Sequence, residues 1–520
     1  MKLFIAKYAE RIAGTLSGAD RLVFRGILRS LTSVDGFGKH LNWAKVLLKD
    51  FETYTKRVTT QVREALTHQI TAEGRPIHYE DSPGADKEAI ARRYAEKDKI
   101  KEGTVVLITC VEPCRSFGIR RNAKAQRLEL CSARRQCLHA YRYLIHPQFG
   151  WMHLRLQTWF PFTIQVYING REWLARQLEA EGVKYLKREN CLVWVENYPR
   201  AQALADAQMK ANWPELLEGL VPLIHPLHAE LLGGHSYYWT TYQNEYATDV
   251  GFKDPGTLAR LYERWLRHGL THFDSVQVLR FLGRKIPATG NLPPRLEAEV
   301  TTRLRRRPEG VCLKHTVDRN HIKMYDKFGE SLRVETTMNN PYDFKVFRHA
   351  EGQPDKPKAW LPLRKGVADM ARRAQVSRAA NERYLDALAA VDDDTPLKQL
   401  TDALSQPVLW KGRRHRGLNL LAAEDVRLLS AVAREQFVLA GFRNRHLRSI
   451  LFDPSASDPQ VLKRQTANIT RRIRLLRAHG LVHKVQATHR YMLTAKGRQI
   501  VTAILTLREL STRKICDQAA

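Results

Sequence analysis

Residues 458–480 constrain folding more than any other stretch of this chain, because the sequence there both starts and stops a helix. Asp458 is a good N-cap, Pro459 suits the first helical position, and Gly480 suits the left-handed residue that ends a helix. Between them Leu462, Ile469, Ile473 and Leu476 recur at helical spacing and predict one apolar face. Lys463, Arg464, Gln465, Asn468, Arg471, Arg472 and Arg474 fall on the other. Residues 481–485 and 491–493 predict two short strands, and Thr494 opens a further helix. Two helices are expected upstream, near 424–440 (closed by Gly441) and near 445–452, with Leu447, Ile450 and Leu451 facing inward. A basic helix feeding a hairpin fits a DNA groove and its flanking phosphates.

The runs 473–482 (IRLLRAHGLV) and 489–498 (HRYMLTAKGR) resemble the winged-helix domains of bacterial transcription regulators. The resemblance covers residues 418–520 and implies contact with DNA or RNA. It places Arg464, Asn468, Arg471 and Arg472 on the outer side of the recognition helix, and His489 and Arg490 on the wing. In a major groove Asn468 suits an adenine edge and an arginine a guanine, while Arg490 suits a phosphate.

Composition points the same way. The formal net charge is +31, from 85 Lys and Arg against 54 Asp and Glu, which implies a polyanionic partner. The cations are spread through globular-looking sequence rather than gathered on one amphipathic helix, which favours nucleic acid over a membrane surface. No stretch approaches a transmembrane length, and residues 1–7 are too short and too charged for a signal peptide, so a cytoplasmic location is expected. A hydrophobic content of 43% with ten tryptophans supports real cores. Seven cysteines, an odd number in a long chain, argue against a disulfide framework.

The expected fold is α/β and α+β multidomain: a mixed-sheet N-terminal half, a helical middle with a basic β-hairpin platform, and a C-terminal winged helix. The expected boundaries are 1–200 for the mixed α/β domain, 201–348 for the helical segment and platform, 349–417 for a linker and long helix, and 418–520 for the winged helix. Apolar spacing predicts helices over 43–70, 87–97, 172–181, 255–268, 293–305 and 367–391, and strands over 20–26, 104–111, 127–131, 138–145, 191–195, 311–317, 321–325, 331–338 and 344–348. Asn169-Gly170 reads as a tight turn. Residues 411–416 read as a flexible cationic segment in which Arg413, Arg414 and Arg416 gain phosphate contacts.

Three patterns bear on chemistry. In a hairpin over 321–338, alternation points Lys323, Tyr325 and Lys327 to one side and puts Arg333 and Glu335 together on the partner strand, a cationic face suited to a phosphate backbone with a base stacked on the ring. The alternative is a surface hairpin with cross-strand ion pairs. Residues 311–348 resemble, locally, plasmid rolling-circle replication initiators, although no two histidines here are separated by one residue. Glu245 and Asp249, four apart and read as helical, are candidate ligands with Asp326 and Glu335 for Mg²⁺ in phosphodiester cleavage; the bland reading is a packed aromatic segment with surface acids. Cys110, Cys114, Cys131, Cys137 and His139 lack a standard zinc spacing, and zinc is not expected. The aromatics of 151–167 with Arg155 and Gln157 suit either base stacking or ordinary sheet core. Walker, dinucleotide and HExxH motifs are absent.

The leading expectation is a nucleic-acid-binding protein recognising a specific or structured DNA or RNA, as in a mobile element or ribonucleoprotein. No cofactor is assigned to it. The alternative is a metal-dependent nuclease or strand transferase of the transposase or replication-initiator kind, using Mg²⁺. A third is a transcription regulator with a large sensor domain.

Overall fold

The computed structural model describes residues 1–233, 235–284, 300–308, 310–350, 352–353, 355–389, 397–434, 437, 441–453, 458–485 and 488–509. It is mixed α/β and divides into two compact units. The first comprises Met1–Phe273, Phe281–Arg284 and Glu299–Ala389; the remainder forms the second.

The first unit is built on one eleven-stranded sheet. Its strands are β1 (Ile12–Ile27), β2 (Ile77–Glu80), β3 (Gly103–Asn122), β4 (Arg127–His146), β5 (Gly150–Gln157) and β6 (Ile164–Asn169). A separate small hairpin follows, β7 (Tyr185–Arg188) and β8 (Cys191–Val195). The large sheet is completed by β9 (Tyr238–Phe252), β10 (Val300–Arg307), β11 (Gly310–Val317), β12 (Asn320–Lys327) and β13 (Ser331–Met338). The order is β10-β11-β12-β13-β9-β1-β6-β5-β4-β3-β2, antiparallel except for the β2–β3 pair. Residues 12–27 and 238–338 therefore pair in one sheet, and the expected boundary at 200 falls inside a single unit.

One face of this sheet carries the main core. Leu22 and Phe24 of β1 and Met152, Leu154 and Leu156 of β5 pack there with Val58, Val62, Leu66 and Ile70 of the helix Phe51–Ala72. Tyr246, Met370 and Ala374 join the same cluster, the last two from the helix Met370–Leu388. Phe160 and Phe162 are fully buried in it, so much of the aromatic run 151–168 is core, divided into β5 and β6.

Helix punctuation holds where a capping side chain is present. Asp86 accepts from Ala89 N at 3.0 Å and opens the helix Lys87–Lys97. Asp254 accepts from Gly256 N and Thr257 N and opens Pro255–Thr271. Asn169 is a cap too, accepting from Arg171 N and Glu172 N, so Asn169-Gly170 starts a helix and does not form the expected tight turn. Glycine is required at 170 because a Cβ would lie 2.4 Å from the carbonyl oxygen of Ala19.

Three expectations fail here. Residues 238–252 are strand, so Glu245 and Asp249 share a face through two-residue alternation and not through a helical turn. Residues 300–307, expected at the end of a helix, form edge strand β10, and 293–299 lie outside the described residues. Lys323, Tyr325, Lys327 and Arg333 do not form an exposed platform: all are buried, Arg333 completely.

Buried charge is compensated by a network. Arg333 on β13 donates to both oxygens of Asp249 on β9 (2.6 and 3.0 Å), to Asp20 on β1 (2.9 Å) and to the Asn190 carbonyl (2.8 Å). Arg171 adds a second cation 2.7 Å from Asp249. Burial pushes the Asp249 carboxyl up, but the two guanidinium groups bring it below its ordinary value.

The second unit contains the helices Ala423–Val432, Asn444–Leu451 and Pro459–Ala478, the hairpin Val482–Lys484 with Tyr491–Leu493, and the helix Ala495–Glu509. This is the order of elements read from the sequence. Ile469, Ile473, Leu475 and Leu476 bury the inner face of Pro459–Ala478 against Leu447, Leu451, Leu481 and Val482. Leu462, expected inward, is only partly buried. Asp458 caps the helix through Gln460 N at 2.9 Å, and Gly480 ends it with φ +71. Residues 411–416 are not a loose segment: Val408–Trp410 pairs with Arg413–His415. Among the described residues no helix is long and apolar enough to cross a membrane.

Replacing Arg333 by Met should destabilise the fold by about 3–5 kcal/mol, since Asp20 and Asp249 would lose their shared counter-charge. Denaturant melts followed by circular dichroism measure this.

Candidate functional site

The face of the sheet opposite the main core carries smaller apolar clusters, around Leu16 and around Val106 and Tyr143, with a polar patch beside them. Its centre holds three acids from three adjacent strands: Asp20 on β1, Glu245 on β9 and Glu335 on β13. One oxygen from each lies within 4.8 Å of the others. Like charges this close are costly unless compensated, and cations surround them. Lys323 on β12 lies 2.6 Å from Glu335 and 3.5 Å from Glu245. Asp20 is held by Arg333 and by Asn190, whose amide donates at 2.8 and 3.0 Å. Gln243 donates to Glu245 at 2.9 Å.

The three acids differ in proton affinity. Burial pushes Asp20 up. Burial, with the neighbouring Glu335 charge, raises Glu245 to about 7. Burial also raises Glu335, but the Lys323 ammonium beside it brings the carboxyl below its ordinary value. Carboxylates whose environments push their proton affinities apart mark functional sites more often than random positions do.

A cleft of about 590 Å³ opens over this cluster, with Asp20, Glu245 and Lys327 in its wall alongside Tyr167, Trp151 and Arg21. Cross-strand register also lines up a row of cations. Arg303 on β10 faces Lys314 on β11, which faces Lys323 on β12, which faces Glu335. Exposure falls along the row, from exposed Arg303 through half-buried Lys314 to buried Lys323. Partial burial and the neighbouring cations hold the Lys314 ammonium below its ordinary value.

The expected site residues separate by geometry. Glu245 and Glu335 converge as candidate ligands. Asp249 is committed to Arg333 and Arg171. Asp326 accepts from Gly329 N at 3.0 Å and serves a turn away from the cluster. Asp20 was missed; its one sequence signal is an acid inside an apolar strand, between Leu16 and Phe24. Lys323 is a cross-strand ion-pair partner, and Lys327 donates to Asn190 at 3.2 Å. Tyr325 is packed between Lys323 and Lys327, each ammonium within 6 Å of its ring (5.9 and 5.4 Å). The cysteines do not gather into a metal site among the described residues, although Cys137 Sγ lies 3.9 Å from His139 Nδ1.

In the second unit Arg464, Arg471, Arg413, Arg414 and His489 are exposed. Asn468 and Arg490 are half-buried. Two expected contacts have protein partners instead: Arg416 forms a two-pronged pair with Asp425 at 2.7 Å, and Arg472 lies 3.8 Å from Glu424. A shallow cleft of about 580 Å³ runs along the outer helix face, where Lys463, Arg471 and Arg474 meet Arg448 of the preceding helix and no acid lines the wall. Arg448 was not read from the sequence.

No protein-family model, no curated protein and no solved structure matches this chain.

The raised Glu245 carboxyl predicts a pH signature. Between its ordinary value near 4.5 and its folded value near 7, the folded chain holds a proton that the unfolded chain has released. That contribution is full below about 4.5 and lost as pH rises through 7. Across that window wild type should lose on the order of 2–3 kcal/mol relative to Glu245→Gln. Urea melts from pH 4 to 8 measure the difference; parallel curves would exclude it.

Proposed function

We propose that this chain binds nucleic acid, with its C-terminal unit acting as a winged helix on duplex. The observation that carries this reading is the outer face of Pro459–Ala478, where Lys463, Arg464, Arg471 and Arg474 are all exposed beside an acid-free cleft. A helix with its apolar side committed to packing leaves such groups free for phosphates and base edges. The excess of 31 positive charges supplies the long-range attraction.

A second reading is favoured by the convergence of Asp20, Glu245 and Glu335: metal-dependent cleavage or transfer at a phosphodiester. Asp20 and Glu335 would hold a divalent ion such as Mg²⁺, which suits all-oxygen ligands. Glu245, titrating near neutrality, would take the proton of an attacking water or hydroxyl. A new P–O bond would form as the bond to the leaving sugar oxygen breaks, with that oxygen taking up a proton. Arg303 and Lys314, the accessible part of the cation row, would hold the neighbouring phosphates.

Two measurements test these readings. Duplex affinity should fall with salt at a log–log slope steeper than about −5, and Arg464→Ala with Arg471→Ala should make the slope shallower by about 2, at about 0.9 per phosphate contact. Binding insensitive to salt would exclude the electrostatic reading. For the second, Mg²⁺ should raise the melting temperature of wild type at pH 8 but not that of Asp20→Asn, and Glu245→Gln should slow cleavage while retaining that Mg²⁺ response. A wild-type protein that neither responds to Mg²⁺ nor cuts would rule it out.

A further inference from the structure

A groove of about 1000 Å³ in the first unit lies on the sheet beside the carboxylate cluster. Its wall carries five cations, Arg25, Arg115, Arg134, Arg319 and Lys365, and no acid. All five are exposed, and none forms an ion pair among the described residues. Arg115 and Arg134 are directly opposite each other in the β3–β4 register. Like charges in that position destabilise a sheet. Partial burial, with Arg155 and Arg115 adding repulsion, lowers the proton affinity of Arg25. A concavity lined by one sign of charge focuses the field and draws anions into it.

Two further features narrow that ligand. Tyr242 lines the groove and is 60% exposed, a ring offered to a stacking partner. Gln243, in the same wall, donates to Glu245, so the groove adjoins the acid cluster. The volume stands at the top of the range for small-molecule sites, about 300–1,000 Å³, which suits a few nucleotides and not a duplex.

We propose that this groove binds single-stranded nucleic acid, its phosphates on the cations and a base on Tyr242. The inference rests on the nucleic-acid reading above and adds a second, strand-selective site. It does not require the carboxylates to be catalytic.

The test uses the full chain with labelled oligo-dT, oligo-U and a duplex of equal length. Arg115→Ala, Arg134→Ala and Arg319→Ala combined should lower single-strand affinity at least tenfold and make its salt slope shallower by about 2, at about 0.7 per contact. Duplex affinity should hold. Tyr242→Ala should weaken single-strand binding without changing the slope, and Tyr242→Phe should restore it. Preference for oligo-dT or oligo-U assigns DNA or RNA. Unchanged melting temperatures confirm that these surface variants fold. Single-strand binding that survives the triple variant, or equal losses for duplex and single strand, would overturn the groove while leaving the C-terminal reading intact. Competition by inorganic phosphate at equal phosphate concentration would also overturn it, marking a small-anion site. Failure of wild type to bind either form would sink both proposals together.

Discussion

A fully buried guanidinium holds the middle of the large sheet together. Arg333 joins β13 to β9 through Asp249, to β1 through Asp20, and to the β7–β8 turn through Asn190. Burying these ions has a large desolvation cost, and apolar residues of similar volume often stabilise as well or better. What the network adds is register. A one-residue slip of β13 would swing Arg333 to the opposite face and strand two acids in the interior. Glu335, two residues on and on the same face, is thereby fixed beside Glu245 and Lys323. The carboxylate cluster inherits its geometry from this salt-bridged centre.

The sequence was legible where local chemistry is complete in itself. Lys87–Lys97, Cys191–Val195 and Ser331–Met338 fall where spacing and caps predict them, and so do Asn444–Leu451, Pro459–Ala478 and the hairpin after it, whereas the helix expected over 424–440 ends at Val432. It was not legible where the deciding partner is remote. Asp20 and Arg333 are 313 residues apart, and nothing near either says that both will be buried. β9 misled for a related reason: its Tyr and Thr content fits a strand, but acids four apart satisfy helix and strand faces alike. The alternation of Lys323, Tyr325 and Lys327 was read correctly, and their exposure was not. Alternation gives a face, while burial depends on the strands and helices that cover it.

Charge content likewise says how many cations exist and not which are available. Arg333, Arg416, Arg472 and Lys323 are occupied by carboxylates. Arg464, Arg471 and the groove arginines have no such partner among the described residues. The distinction separates side chains that hold the protein together from those left uncompensated, and it can be drawn only after folding.

Strand β10 closes one end of the sheet, and among the described residues nothing pairs with its outer edge. An open edge is a template for another copy of the chain. Here Arg303, Arg305 and Arg306 crowd that edge, and two such edges brought together would set arginine against arginine. The repulsion lasts only while the charges are bare. A polyanion shared between two molecules would cancel it and turn a repellent edge into an adhesive one. With such a polyanion the protein would be dispersed when alone, dispersed again when each molecule is saturated, and self-associating in the interval between.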